Sequence, residues 1–377
     1  ENDNPLQKTG KKMKILLIGE YSNVHWTLAE GLRSLGHKVC VVSNGDFWKD
    51  YKRDISLTRT TYSKFEGITY ILKTLAILPR LRNYDVVQLI NPMFLELKAE
   101  RIEPIYCFLK KNNKKIFLCA HGMDAFWVEA CTRKPYIFRY SDFNIGNKPI
   151  INDYTTEQAT DWRNTPKADL NRCIANDCNG IIAGMYEYHT AYTKEHADKL
   201  TYIPFPIETE KNDIKFYTND RKLRFFIGIQ KSRSIYKGTD IMLRALERIH
   251  KDYPNECEIL KAESVPFEQY SRMIEDCDVL LDQLYGYSPA MNALLAMSKG
   301  KIVVGGAEPE CYDILDEKEL RPMINVVPDE TDVYNKLKWI VENKNKLATM
   351  QQESIDFIKK HHSPVKVAEQ YIKFWNK

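Results

Sequence analysis

The sequence has no apolar run approaching the roughly 20 residues that a membrane-spanning helix requires, and its N-terminus lacks the basic-then-apolar pattern of a secretory leader. A cytoplasmic chain is the expectation. It also lacks any CxxC pair or His/Cys metal spacing. Its nine cysteines, among them Cys40, Cys107, Cys173 and Cys311, form an odd and unpatterned set, which reads as reduced thiols with no metal site. No excess of one charge is present. With 55 basic against 51 acidic residues the net charge is only +4, a mixed surface rather than the concentrated basic field of a nucleic-acid binder. No nucleic-acid partner is expected; anionic small ligands and acidic membranes stay open. The glycine-rich dinucleotide fingerprint is missing as well: the loop after Gly19 reads Glu20-Tyr21-Ser22-Asn23-Val24-His25, which argues against a dinucleotide cofactor. Glycine and proline are scattered rather than tracted, which sets aside fibrous and low-complexity classes.

What is present is a globular composition, 44% apolar and 28% charged, over 377 residues, more than one hydrophobic core usually serves. Two domains are expected. The polar stretch 1–12 is read as a tail ahead of a natural start at Met13 and is left out of fold reasoning. From there Lys14-Ile15-Leu16-Leu17-Ile18-Gly19 is a short apolar run closed by glycine, which suits a strand buried on both faces of a parallel sheet. Leu28, Leu32 and Leu35 then share a helical face that stops at Gly36, and a second strand follows over 38–42. Further strands are read at 85–90, 115–119 and 180–183, so the first half is doubly wound α/β. Residues 202–207 carry two prolines and, with the polar stretch to 220, suit a linker. A second series follows, with strands at 223–227, 258–260, 279–281 and 301–304 and helices at 240–249, 332–341 and 365–375. Ligands of open α/β sheets bind beyond the carboxyl ends of the strands, so two such units facing each other would make a cleft.

Two stretches carry chemistry. The first, Gly228-Ile229-Gln230-Lys231-Ser232-Arg233-Ser234-Ile235-Tyr236-Lys237-Gly238-Thr239-Asp240, lies between a buried strand and a helix. Backbone amides, the positive helix end and the charges of Arg233 and Lys237 there suit a diphosphate. Gly238 leaves room for phosphate oxygens, and Thr239 can cap the helix. A solvated basic turn is the competing reading. The second stretch runs over 282–304 and contains Ala296-Met297-Ser298-Lys299-Gly300-Lys301; Glu308-Pro309-Glu310 follows.

Together these resemble the carboxy-terminal domain of retaining GT-B glycosyltransferases of family 4. In that family a basic-x-x-x-Lys-Gly loop and a helix ending Ala-Met-Ala-x-Gly frame the donor nucleotide. The resemblance extends more loosely over the chain from Met13 onward. It implies two Rossmann-like domains facing a cleft: an acceptor-side domain over 13–205, a nucleotide-sugar domain over 206–360, and a terminal helix within 361–377 crossing back to the first. It also implies Asp282, Tyr287, Asn292, Leu295, Glu308 and Glu310 as the donor frame. One departure is plain. The family has two glutamates eight positions apart, and those positions here are Tyr287 and Leu295, neither able to act as a carboxylate. A weaker donor, a differently anchored donor and a non-catalytic relative all stay open, with Asp282, Asn292 and Glu310 as candidates for compensation.

In the first half, Ala120-His121-Gly122-Met123-Asp124 follows a buried strand. The resemblance implies that His121 touches the donor sugar or an acceptor hydroxyl, with Asp124 orienting nearby groups. A satisfied histidine and a helix-capping Asp are the plainer alternative. His121 and Asp124 are expected across the cleft from Lys237. Asn23 or His25, in the loop after Gly19, could meet an acceptor, although an ordinary strand-to-helix turn is the better reading of either taken singly. Trp127 belongs to an aromatic-rich stretch, Phe126 to Trp162, whose rings suit sugar faces, although most such rings pack locally. The run Phe47-Trp48-Lys49-Asp50-Tyr51-Lys52-Arg53 reads either as a peripheral contact with anionic lipid at the inner membrane face or, better, as a solvated loop.

The expectation is therefore a retaining, metal-independent hexosyl-type transferase. It would use a nucleotide-diphosphate sugar as donor substrate, with no bound cofactor, and a saccharide or lipid-linked saccharide as acceptor in surface polysaccharide synthesis. A non-catalytic sugar- or nucleotide-binding relative and a nucleotide-sugar epimerase are the rival readings.

Overall fold

The structure is a computed structural model and describes residues 12–209, 214, 216–229, 237–263, 265 and 267–377. The chain forms two compact units from interleaved stretches. The first takes Glu1–His121, Pro166–Ile182 and Pro364–Lys377; the second takes Gly122–Thr165 and Ala183–Ser363. The stretch after His121 thus belongs with the second unit, and the last helix with the first.

In the first unit, β1 (Lys14–Ile18), β2 (Lys38–Ser43), β3 (Ile55–Ser56), β4 (Val86–Leu89) and β5 (Lys115–Ala120) lie in the order β5-β4-β1-β2-β3. Every neighbouring pair among them is parallel. Ile15, Leu16, Leu17 and Ile18 are all buried, which explains why this strand reads as an unbroken apolar run: both faces are covered. The chain leaves β1 toward β2 and β3 on one side and returns through β4 on the other. That reversal opens a crevice beyond the carboxyl ends of β1 and β4. Helix Val24–Ser34 links β1 to β2, and the terminal helix Pro364–Trp375 packs along it. A Cβ on Gly31 would lie 2.2 Å from the Pro364 carbonyl oxygen, so the approach of the two backbones depends on glycine.

In the second unit, β6 (Tyr140–Ser141), β7 (Asn144–Ile145) and β8 (Lys148–Pro149) make a small antiparallel sheet. β9 (Gly180–Ala183) spans the point where the chain enters the second unit, and β10 (Leu200–Tyr202) follows; just after it Ile203 N–H donates to the Ala183 carbonyl at 3.0 Å. The second parallel sheet contains β11 (Leu223–Ile229), β12 (Cys257–Glu263), β13 (Val279–Leu281), β14 (Ile302–Gly305) and β15 (Ile324–Asn325), ordered β12-β11-β13-β14-β15. Leu223, Phe225 and Ile227 pack with Met242, Leu246 and Ile249 of helix Thr239–Asp252 and with Leu337 and Ile340 of helix Glu330–Glu342. The order reverses again at β11, so its crevice lies between β11 and β13. The α/β class of two doubly wound, Rossmann-like units read from the sequence is the one found.

Candidate functional site

The β11 and β13 ends of the second unit hold Lys237, Gly238 and Asp282. Gly238 is the N-cap of helix Thr239–Asp252 at φ 70, and a Cβ there would come 2.9 Å from Leu284. Glycine is thus required by the backbone and by packing, a reason separate from room for a phosphate. The Lys237 carbonyl accepts the Leu284 N–H at 2.9 Å, tying the two loops together. Asp282 is buried. Burial pushes its carboxyl above the ordinary range, while the Lys237 charge and a hydrogen bond from Asn292 pull the other way. Asn292 lies on helix Met291–Ser298 together with the partly exposed Leu295. Arg233 lies outside the described residues.

Beside this, Tyr287 is buried among rings, 5.0 Å from Tyr140, 5.6 Å from Phe138 and 5.8 Å from Tyr186 between centroids. Its hydroxyl accepts the Arg139 backbone N–H at 2.7 Å, and the Arg139 guanidinium lies over its ring. That guanidinium also donates to Glu308 at 3.0 Å and to both oxygens of Glu310, and Tyr140 donates its hydroxyl proton to Glu308. Glu308 N–H donates to the Tyr287 carbonyl at 3.0 Å. Two carboxylates therefore flank the tyrosine that stands where the resemblance expects one. Arg139 holds the Glu310 carboxyl below its usual range. The turn itself is fastened by Glu187, whose carboxylate accepts from Tyr287 N–H at 2.9 Å, Ser288 N–H at 3.2 Å and the Ser288 hydroxyl at 2.7 Å.

Asp124 caps helix Ala125–Thr132 by accepting the Trp127 N–H at 2.8 Å, and its other oxygen accepts the Tyr192 hydroxyl at 2.6 Å. Trp127 is buried against Phe138 and Tyr188. In the first unit, His121 follows β5 and is buried; burial and the neighbouring His25 lower its imidazole to about 3. His25 is enclosed: Nδ1 lies 2.7 Å from the Gly19 carbonyl and Nε2 lies 3.2 Å from the Gln88 amide. Asn23 sits just ahead of it at φ 69. The buried Glu20 carboxyl accepts the His25 and Trp26 N–H groups at 3.1 and 2.9 Å and so occupies the helix start, while burial pushes its pKa up to about 8. Arg139, Glu187 and Glu20 were not singled out from the sequence. A basic residue inside the aromatic stretch was the only signal for the first, and the others gave none. Among the described residues no cluster of three or more His, Cys, Asp or Glu side chains is placed to hold a metal ion.

No protein-family model matches the sequence, and no curated protein does. Solved structures do resemble this chain. HepE of Anabaena in complex with UDP and glucose is 13% identical with a TM-score of 0.58, over 97% of this chain and 100% of that one. Sucrose-phosphate synthase of Thermosynechococcus elongatus is 10% identical with a TM-score of 0.62, over 96% and 98%. A complex of S. aureus MnaA with UDP is 10% identical with a TM-score of 0.52, over 96% and 95%. At such identities the likeness shows the fold, which is of the GT-B class.

Proposed function

We propose that this protein transfers a sugar from a nucleoside diphosphate sugar to a hydroxyl of a saccharide or lipid-linked saccharide, with retention and without a bound metal, in surface polysaccharide assembly. The observation that carries this reading is the Lys237 region: a cation at the start of a helix, beside a buried aspartate, at the strand-order reversal of the second sheet. Solved structures of the same fold with UDP or UDP-glucose bound support it. As the glycosidic bond breaks, charge grows on the leaving diphosphate, and Lys237 with the helix amides offsets it electrostatically; Arg233 is assigned the same role. Asp282, Asn292, Leu295 and Gly238 frame the nucleotide, and Tyr287, Glu308 and Glu310 the donor sugar. His121, neutral at physiological pH because its imidazole sits near 3, acts as a hydrogen-bonding group rather than a cation, with Asn23 on the acceptor side, while His25, Asp124 and Trp127, each engaged by neighbours within its own unit, act as positioning residues.

The enclosed Tyr287, standing where the resemblance expects a glutamate, favours one second reading: a non-catalytic relative that binds the same ligands. A thermal-shift panel of nucleotides and nucleotide sugars, followed by a transfer and hydrolysis assay with any binder, separates the readings. Ligand at about 100 times its Kd adds about 2.7 kcal/mol of apparent stability. Binding with turnover supports transfer, binding without turnover supports the second reading, and a panel in which nothing binds removes both.

A further inference from the structure

Helix Lys64–Ile77 of the first unit wears its apolar side outward. Phe65, Ile68, Leu72 and Leu75 are 80, 58, 61 and 51% exposed, whereas its buried residues are Tyr70 and Thr74. Spacings of three, four and three place the exposed four on one face, within about 80° at the usual 100° per residue. An amphipathic helix of a globular unit normally turns such a stripe inward, and a contiguous exposed one marks an interaction surface. Lys64 and Lys73 flank the stripe. Glu66, the only acidic residue of the helix, is turned aside to accept hydrogen bonds from Thr60 and Thr61. Apolar centre, basic rim and no acid on the exposed face form one pattern.

That pattern selects the occupant. Lysine is depleted in protein–protein interfaces, whereas helices that lie in a membrane surface combine Phe and Leu with flanking Lys or Arg. A second exposed pair, Phe47 and Trp48, stands on the turn Phe47–Lys49. It is linked to the helix through Asn44, which donates to Glu96 at 2.5 Å, and Glu96, whose N–H donates to the Tyr70 hydroxyl at 3.1 Å. No helix among the described residues is long and apolar enough to cross a membrane. We propose that the Phe65, Ile68, Leu72 and Leu75 face docks on an anionic lipid surface, the helix lying in the plane of the interface with Lys64 and Lys73 at the headgroups. This goes beyond the transfer reading and does not rest on it.

The full-length protein is tested by co-sedimentation with vesicles of zwitterionic lipid, alone or with about 30 mol % anionic phospholipid, at low and high salt. Binding is expected to favour the anionic vesicles and to weaken with salt. Ile68→Ser/Leu72→Ser and Lys64→Glu/Lys73→Glu should each reduce partitioning roughly tenfold or more. Both should keep the parent circular dichroism, because all four positions are exposed. Nucleotide binding should also stay unchanged, because none of these side chains belongs to the proposed donor site. No binding to any vesicle, or binding that Ile68→Ser/Leu72→Ser leaves intact, overturns the proposal. So does a native dimer in sedimentation velocity that this variant splits into monomers, since a second copy then covers the face.

Discussion

Lys237 precedes the N-cap of helix Thr239–Asp252, so its ammonium, the first-turn amides and the positive end of the helix dipole belong to one small region. Each alone is an ordinary feature of a helix start; convergence on one anion is what a diphosphate site needs. If the proposed role holds, Lys237→Ala removes a charge-assisted contact worth about 1.5–3 kcal/mol, a loss of roughly ten- to a hundredfold in affinity. The loss should appear for UDP and be nearly absent for uridine, measured by titration calorimetry on protein whose circular dichroism matches the parent. Equal loss for both ligands would instead point to disturbance of Asp282, whose carboxyl is kept from rising further by that same charge. Tyr287 shows a different residue-scale lesson. The chain lacks a carboxylate there, yet Glu308 and Glu310 flank the position, bridged by Arg139.

Among the elements, helix Leu347–His361 ends on a clamp. The His362 carbonyl accepts the Ile207 N–H at 2.8 Å, and its ring Nδ1 donates to the Phe205 carbonyl at 2.8 Å, so one helix end fastens the segment after β10. Burial lowers this imidazole from 6.5 to about 4. The unfolded chain therefore takes up its proton before the folded one does. The stability contributed is full above pH 6.5 and is lost as pH falls toward 4, at about 1.4 kcal/mol per pH unit. Urea unfolding between about pH 7 and pH 5 should show His362→Asn to be less stable but with a smaller acid loss than the parent, the remaining slope combining His25 and His121, which share the sign, with the raised carboxyl of Glu20, which opposes it. An unchanged slope would mean that His362 titrates normally. The same scale explains what the sequence makes legible. β1, β11 and β14 are apolar runs because both sheet faces are covered, and the chemistry-bearing positions after β5, β11 and β13 follow from where such strands end. β3, β6, β7, β8 and β15 span two residues each, too short for any period. Helix Lys64–Ile77 has helical apolar spacing, but a period does not say which way its stripe faces, and here it faces out. Arg139 and Glu187 meet their partners 171 and 100 positions away, distances that no spacing rule reaches.

For the whole molecule, the first unit cannot be completed by a contiguous stretch of chain: it needs Pro166–Ile182 and, last of all, Pro364–Lys377. The terminal helix contributes core rather than cover. Val367, Ala368, Tyr371 and Trp375 are buried, the Phe117 ring lies 6.2 Å from the Trp375 ring, and the Lys115 ammonium donates to the Trp375 carbonyl at 2.7 Å. Removing the Trp375 side chain should cost about 3–5 kcal/mol, a large part of the 5–15 kcal/mol that holds a typical domain. Deleting residues 364–377 removes all four core side chains and bares the face of helix Val24–Ser34 that carries Gly31, so the first unit should fail to hold its native state. The second unit has its own core around Phe225, Leu246 and Leu337 and should keep its sheet. Hydrogen exchange read by mass spectrometry distinguishes the two. In the truncated protein the amides of β1 and β4 are expected to lose protection while those of β11 and β13 retain it, and Trp375→Ala should give the same pattern in weaker form. Undiminished protection of β1 would show that the terminal helix only decorates the first unit. Loss of protection in both sheets together would show that the units fold as one.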